Sequence, residues 1–202
     1  MTFVVRTGGW LFRQRTWLPL PLVAALLVIP PPAGDAARAF TSFWLAGALV
    51  VAAGEAIRLW AVLHIGAISR TRSDRLGPLV ASGPFAYVRN PLYLGNILLW
   101  TGFAIAARLV WLAPVIAVLL ALEYHAIVRW EEGLLAERIG APYRQYVARV
   151  PRWLPSPAAA AAPAGAVTFS WRQTFFSERG TLIAIGAGFL LLSLKAWLAA
   201  RF

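Results

Sequence analysis

The chain has 202 residues, of which 60% are hydrophobic and 13% charged, with ten Trp and a mean hydropathy of +0.67; a soluble domain of this size does not bury that much apolar surface, so it reads as an integral membrane protein. The net charge of +11 comes from arginines that flank apolar runs, not from one basic face, which favours anionic lipid headgroups over nucleic acid as the partner. The absence of cysteine excludes disulfides, thiolate metal sites and a cysteine nucleophile, and the two histidines, His64 and His125, leave little for an imidazole metal centre, so no metal site is expected.

In chain order, Arg6, Arg13 and Arg15 precede a long apolar run without a small-residue cleavage pattern, which argues against a signal peptide. Residues 17–33 form a first expected span, with prolines at both ends. Residues 40–63 form a second, carrying Glu55 and Arg58 three residues apart on one helical face, read as an intrahelical ion pair with an anionic substrate group as the other partner open to Arg58. Residues 64–90 are polar, bear Arg70, Arg72, Arg75 and Arg89, and are broken at Gly77-Pro78 and Gly83-Pro84, so they read as a loop. From Pro91 to Leu122 the chain is apolar for two spans, expected to fold as a hairpin turning near Ala107-Arg108. After Glu123 charges and apolar residues alternate at helical spacing up to Gly140, a C-cap, in a segment expected at the interface. Residues 155–166 are an Ala/Pro linker. Residues 180–198 form a last span, with Lys195 near enough to its end to snorkel.

The fold expected is therefore all-α and polytopic, with about five transmembrane helices and a cytoplasm-facing cofactor pocket. Its parts are N-terminal spans (1–63), a core of loop, hairpin and interfacial helix (64–154), a linker (155–166) and a C-terminal accessory span (167–202). With the N-terminus cytoplasmic, Arg6, Arg13, Arg15, Arg70, Arg72, Arg75, Arg89, Arg129, Arg138, Arg144, Arg149, Arg152, Arg172 and Arg179 fall inside, and only Arg38, Arg108 and Arg201 outside. Fourteen against three is a strong positive-inside bias and fits a bacterial-type inner membrane.

This topology brings the stretch GPFAYVRNPLYLG (83–95) to the same face as Glu123, Glu131 and Glu132. Arg89 is a permanent cation suited to a carboxylate or phosphate. Asn90 offers donors and an acceptor, and Tyr87 and Tyr93 supply flat faces with hydroxyl tips. Glu131 and Glu132 would answer an ammonium or sulfonium. A ligand with a carboxylate, an amine, a positive sulfur and an aromatic base uses all of these, and S-adenosylmethionine is one.

The same residues carry a resemblance. G-P-F-x-Y-V-R-N-P-L-Y-L-G, a hairpin, E-E-x-x-L, Gly140, Y-x-x-Y at 143–146 and V-P-R at 150–152 resemble the integral membrane methyltransferases, including isoprenylcysteine carboxyl methyltransferase and the phospholipid N-methyltransferases. The resemblance covers residues 55–153. It implies S-adenosylmethionine bound between the loop and the helix after the hairpin, with Leu79, Val80, Phe85, Arg89, Asn90, Pro91, Leu92 and Tyr93 lining the pocket. Glu131 and Glu132 approach from the other side. Asn90 departs from the family's usual Arg-His-Pro; it can replace a donor contact of neutral His but does not titrate near neutral pH.

The expected function is methyl transfer to a lipid or lipid-linked acceptor, carboxylate or amine, with Arg89 and Glu123 as catalytic candidates. Glu123 is also a candidate partner for Arg89, and a carboxylate is the available base for an amine acceptor. Two other readings stand beside this one: an NADPH-dependent membrane lipid reductase, against which Glu131 and Glu132 argue, and a non-catalytic protein in which the motif is an interfacial collar of aromatics and arginine.

Overall fold

The computed structural model describes residues 3–32, 36–66, 79–157, 168–199 and 201. Among them run α1 (Phe3–Gln14), α2 (Leu20–Val28), α3 (Ala36–Ile65), a 3-10 turn (Gly83–Ala86), α4 (Pro91–Ala106), α5 (Leu112–Ile139), α6 (Ala141–Arg149) and α7 (Trp171–Ala199), and no strand. Arg70, Arg72 and Arg75 and most of the expected linker lie outside the described residues.

Three helical stretches, Thr41–Ile65, Leu112–Ile139 and Trp171–Ala199, are long and apolar enough to cross a bilayer, which marks the chain as a membrane protein. α4 is apolar but has 16 residues. Of the five expected spans, the runs 17–33 and 91–106 do not reach the length of these three, and the helix after the hairpin is longer than expected. The run 17–33 yields only the nine helical residues of α2, about 14 Å of helix, because Pro19 and Pro30 to Pro32 bracket it. The segment nonetheless travels the length of α4. Arg15 lies within electrostatic reach of Tyr93 and Glu131, while at the other end Pro32 O accepts from Arg108 Nη2 at 3.1 Å. The fourth expected span and the charged segment after Glu123 form one helix. α5 continues through all 28 residues, about 42 Å against the roughly 30 Å of a hydrocarbon layer, so one of its ends stands outside that layer.

The hairpin turns where expected. Ala107 N donates to Phe103 O and Leu109 N to Ala104 O, both at 2.9 Å, and Arg108 takes the left-handed conformation (φ 63°) that the reversal needs. α3 and α4 then pack backbone to backbone through glycine. A Cβ on Gly47 would fall 2.5 Å from Gly102 O, and one on Gly54 2.7 Å from Gly95 O. This is the small-residue packing that lets membrane helices approach closely where no hydrophobic effect draws them together.

α1 is an amphipathic helix that the arginines at its ends had disguised. Gly8 and Gly9 lie against Ala126 and Trp130 of α5, Phe12 packs on Trp130 at 4.9 Å, and Arg6 and Arg13 stay exposed. α7 starts nine residues before the expected span, at a capping box: Ser170 Oγ accepts from Gln173 N at 3.3 Å and Gln173 Oε1 accepts from Ser170 N at 3.0 Å. It lies along α3, with Phe189 between Trp44 and Phe103. Trp171, Phe175, Phe176, Ile183 and Leu190 remain exposed, as suits a lipid-facing helix.

Candidate functional site

The loop before α4 is seated on α6. Tyr143, Tyr146 and Val150 form a buried cluster with Leu79, Ala81, Leu135 and Ile139, and Tyr146 Oη donates to Phe85 O at 2.8 Å. Val80 is half-buried beside it. Gly140 (φ 70°) ends α5 and turns the chain into α6, so the tyrosines face the loop. At the loop's other edge Gly83 (φ 57°) leaves room for the His64 ring, which a Cβ would meet at 2.5 Å. Burial pushes the Tyr143 phenol up to about 12 and raises that of Tyr146 as well, so both are neutral donors at any working pH.

Beside this cluster the chain after α6 runs as a strap along residues 87–90. Arg89 N donates to Pro151 O at 2.9 Å and Ser156 N to Tyr87 O at 3.0 Å. Asn90 occupies the N-cap position of α4, ahead of Pro91, yet makes no side-chain cap. Its amide is committed elsewhere: Asn90 Nδ2 donates to Arg152 O at 3.1 Å. Pro91 at the first helical position loses nothing by lacking an N–H.

Glu132 joins the two sides. Its Oε1 lies 2.8 Å from Arg89 Nη1 and accepts from Arg152 Nε at 3.0 Å, and its Oε2 accepts from Arg152 Nη2 at 2.6 Å. One carboxylate thus holds two guanidinium groups, one from the loop and one from the strap. The hydrogen bond to Glu132 raises Arg152 above the ordinary arginine value. Glu131 takes a separate partner, accepting from Tyr93 Oη at 3.1 Å, and Tyr93 packs on Tyr124 at 4.7 Å. Leu92 is half-buried.

The structure therefore brings Leu79, Val80, Phe85, Arg89, Asn90, Pro91, Leu92, Tyr93, Glu131 and Glu132 to one end of the bundle. Glu123 is not with them as the partner of Arg89. It sits eight residues before Glu131 on α5, about 12 Å along the helix, and the Arg89 ion pair goes to Glu132. Three members escaped the sequence reading: Tyr143, Tyr146 and Arg152. The signals were present as Y-x-x-Y and V-P-R, but their pairing with Phe85 O and Glu132 is tertiary.

A second polar cluster joins α3, α4 and α7. Arg58 Nε is 3.5 Å from Glu55 Oε2, as the i,i+3 spacing leads one to expect. Arg58 Nη1 also donates to Asn96 Oδ1 at 2.6 Å, and Nη2 to Glu178 Oε2 at 2.6 Å and Thr181 Oγ1 at 3.3 Å. Glu178, on α7, is 1% exposed.

Fold and site together define a helical membrane protein with a polar, tyrosine-rich and arginine-clamped site at one end of its bundle. Residues 43–141 match the family model described as phospholipid methyltransferase, which bears out the resemblance to the integral membrane methyltransferases. The chain is also 32% identical over 98 residues to the nickel-cobalt-cadmium resistance protein NccN of Alcaligenes xylosoxydans xylosoxydans, covering 48% of this chain and 43% of that one. To the cobalt-zinc-cadmium resistance protein CzcN of Cupriavidus metallidurans it is 31% identical over 109 residues, 54% of this chain and 47% of the other. The chain thus spans about half the length of these curated relatives. No solved structure matches it.

Proposed function

We propose that the protein transfers a methyl group from S-adenosylmethionine to a lipid or lipid-linked acceptor at the cytoplasmic membrane interface. The observation that carries this reading is the clamp of Glu132 on Arg89 and Arg152. It closes the loop, the end of α5 and the strap into one polar wall, inside and just beyond the stretch that matches the phospholipid methyltransferase family.

The side chains at the site suit that cofactor. Glu131 has carboxylate acceptor capacity beyond its bond to Tyr93, for an ammonium or hydroxyl. Arg89 keeps a buried Nε with no hydrogen bond, and Leu79, Val80 and Leu92 offer apolar surface to a base. When bound, S-adenosylmethionine supplies an electrophilic methyl. The protein's part is to orient donor and acceptor and to keep water away, which accounts for most of the acceleration such a step needs. Because Glu132 neutralises Arg89, the arginine acts first as a clamp and through its remaining donor as a ligand contact. A carboxylate acceptor needs no base; for an amine, Glu131 is the carboxylate within the wall and Glu123 lies deeper.

The relatives are named for metal resistance, yet among the described residues no group of three or more His, Cys, Asp or Glu is placed to hold a metal ion. The test is thermal unfolding of the purified protein with S-adenosylmethionine, its demethylated product or NADPH. Stabilisation by the first two alone is expected, by RT ln(1 + [L]/Kd). Stabilisation by NADPH alone would select the reductase, and by none of them the collar.

A further inference from the structure

A carboxylate that is 1% exposed on a helix whose other side faces lipid costs several kcal/mol unless it is paired. Glu178 is paired, with Arg58, and what matters is where that contact leads. The Arg58 stem lies over Gly95, where a Cβ would fall 2.5 Å from Cγ, and this brings the guanidinium onto the next residue, Asn96. Asn96 Oδ1 accepts from Arg58 at 2.6 Å, and the same side chain lies close enough to Tyr124 to act on its hydroxyl. Tyr124 in turn packs on Tyr93 at 4.7 Å, and Tyr93 donates to Glu131. A run of polar and aromatic neighbours thus passes from α7 through α3, α4 and α5 to the carboxylate of the proposed cofactor site.

We propose that Glu178 is a positioning residue: acting through Arg58, Asn96 and Tyr124, it fixes the placement of Tyr93 and hence of Glu131. The inference rests on the methyltransferase reading for its ligand, but not for its geometry. Elsewhere α7 meets α3 and α4 through the ring of Phe189 and carries the buried Thr174 and Ser177, and towards its far end Lys195 Nζ donates to Leu26 O at 2.7 Å and to Ile29 O at 2.5 Å of the α2 segment. The ion pair with Thr181 beside it sets the register of α7 at the end nearer the proposed site. α7 thereby becomes part of the site without touching the ligand.

Two measurements on the full-length protein in lipid nanodiscs test this. The first labels the tyrosines with 3-fluorotyrosine, assigns Tyr93 with a Tyr93→Phe variant and follows its fluorine resonance. Glu178→Gln, which keeps the size of the side chain and removes its charge, is expected to move that resonance. Asn96→Ser, which breaks the run in the middle and leaves the ion pair, is expected to move it too. The second measures S-adenosylmethionine affinity calorimetrically. Glu178→Gln is expected to weaken it about fivefold in the wild-type background and by less than twofold once Tyr93→Phe has removed the hydroxyl, the non-additivity that marks coupled residues. A Tyr93 resonance unmoved by both variants, or effects that simply multiply, would overturn the proposal even if Glu178→Gln lowers the unfolding temperature. If the wild-type protein does not bind S-adenosylmethionine, the functional reading fails, and the fluorine spectrum alone decides the positioning role.

Discussion

Removing the Glu132 carboxylate leaves two guanidinium groups facing each other at the junction of loop and strap. Glu132→Ala is therefore expected to lower stability by about 2 kcal/mol, the scale of a lost hydrogen bond to a charged group, and to loosen the loop. A drop in unfolding temperature in detergent together with proteolysis near Arg89 would register both. Glu131→Ala removes the acceptor of one tyrosine hydroxyl and should cost less stability but more cofactor affinity, a separation that calorimetry reads directly. Asn90 donates to a backbone carbonyl, a contact that neutral His can also make. Asn90→His is thus expected to keep activity within about an order of magnitude, a barrier change under about 1.4 kcal/mol, with no new pH dependence near 6 to 7. Burial holds the Tyr143 phenol near 12, above the ordinary 10.0. Its contribution to stability is complete below pH 10 and is lost as pH rises through 12, because the unfolded chain releases the proton first. Tyr143→Phe should accordingly flatten the fall in unfolding temperature between those two values.

At the scale of elements, the α3–α4 interface depends on absent side chains. Gly54→Leu would drive a side chain into the carbonyl of Gly95, which is backbone and cannot swing aside. The expected result is separation of the pair, displacement of Arg58 and a fall in the yield of monodisperse protein, whereas Gly133→Ala, at a position with open space around it, should be silent. Much at this scale was legible in the sequence. The apolar length of α3, the turn at Arg108 and the cap at Gly140 are all local signals, read from composition, one charge and one glycine. The short α2 was not, since hydropathy counts prolines as permissible while helix geometry does not. Nor was the continuity of α5, because a run of charges after Glu123 looks the same at the end of a long helix as on a separate one. The Arg152–Glu132 arm of the clamp joins residues 20 apart and the Glu178 ion pair residues 120 apart; no periodicity reports such pairs, so Arg152 and Glu178 came only from the fold.

For the whole molecule, α7 is tied to the bundle by Glu178, Thr181 and the Phe189 contacts. Truncation after Pro157 should leave the half-buried Arg58 with Glu55 as its carboxylate partner and lower both thermal stability and cofactor affinity; an unchanged affinity in a folded, monodisperse truncation would return α7 to an accessory role. The central claim is methyl transfer at the site closed by Glu132, and the most direct measurement follows the methyl group itself. Membranes containing the protein are incubated with S-adenosylmethionine labelled in its methyl group, and the lipid extract is analysed by mass spectrometry. The account predicts labelled lipid with the wild-type protein and at least a tenfold loss of it with Glu132→Ala under conditions where that variant remains folded. Label that never enters a lipid or lipid-linked species, or that enters equally with both proteins, would contradict it.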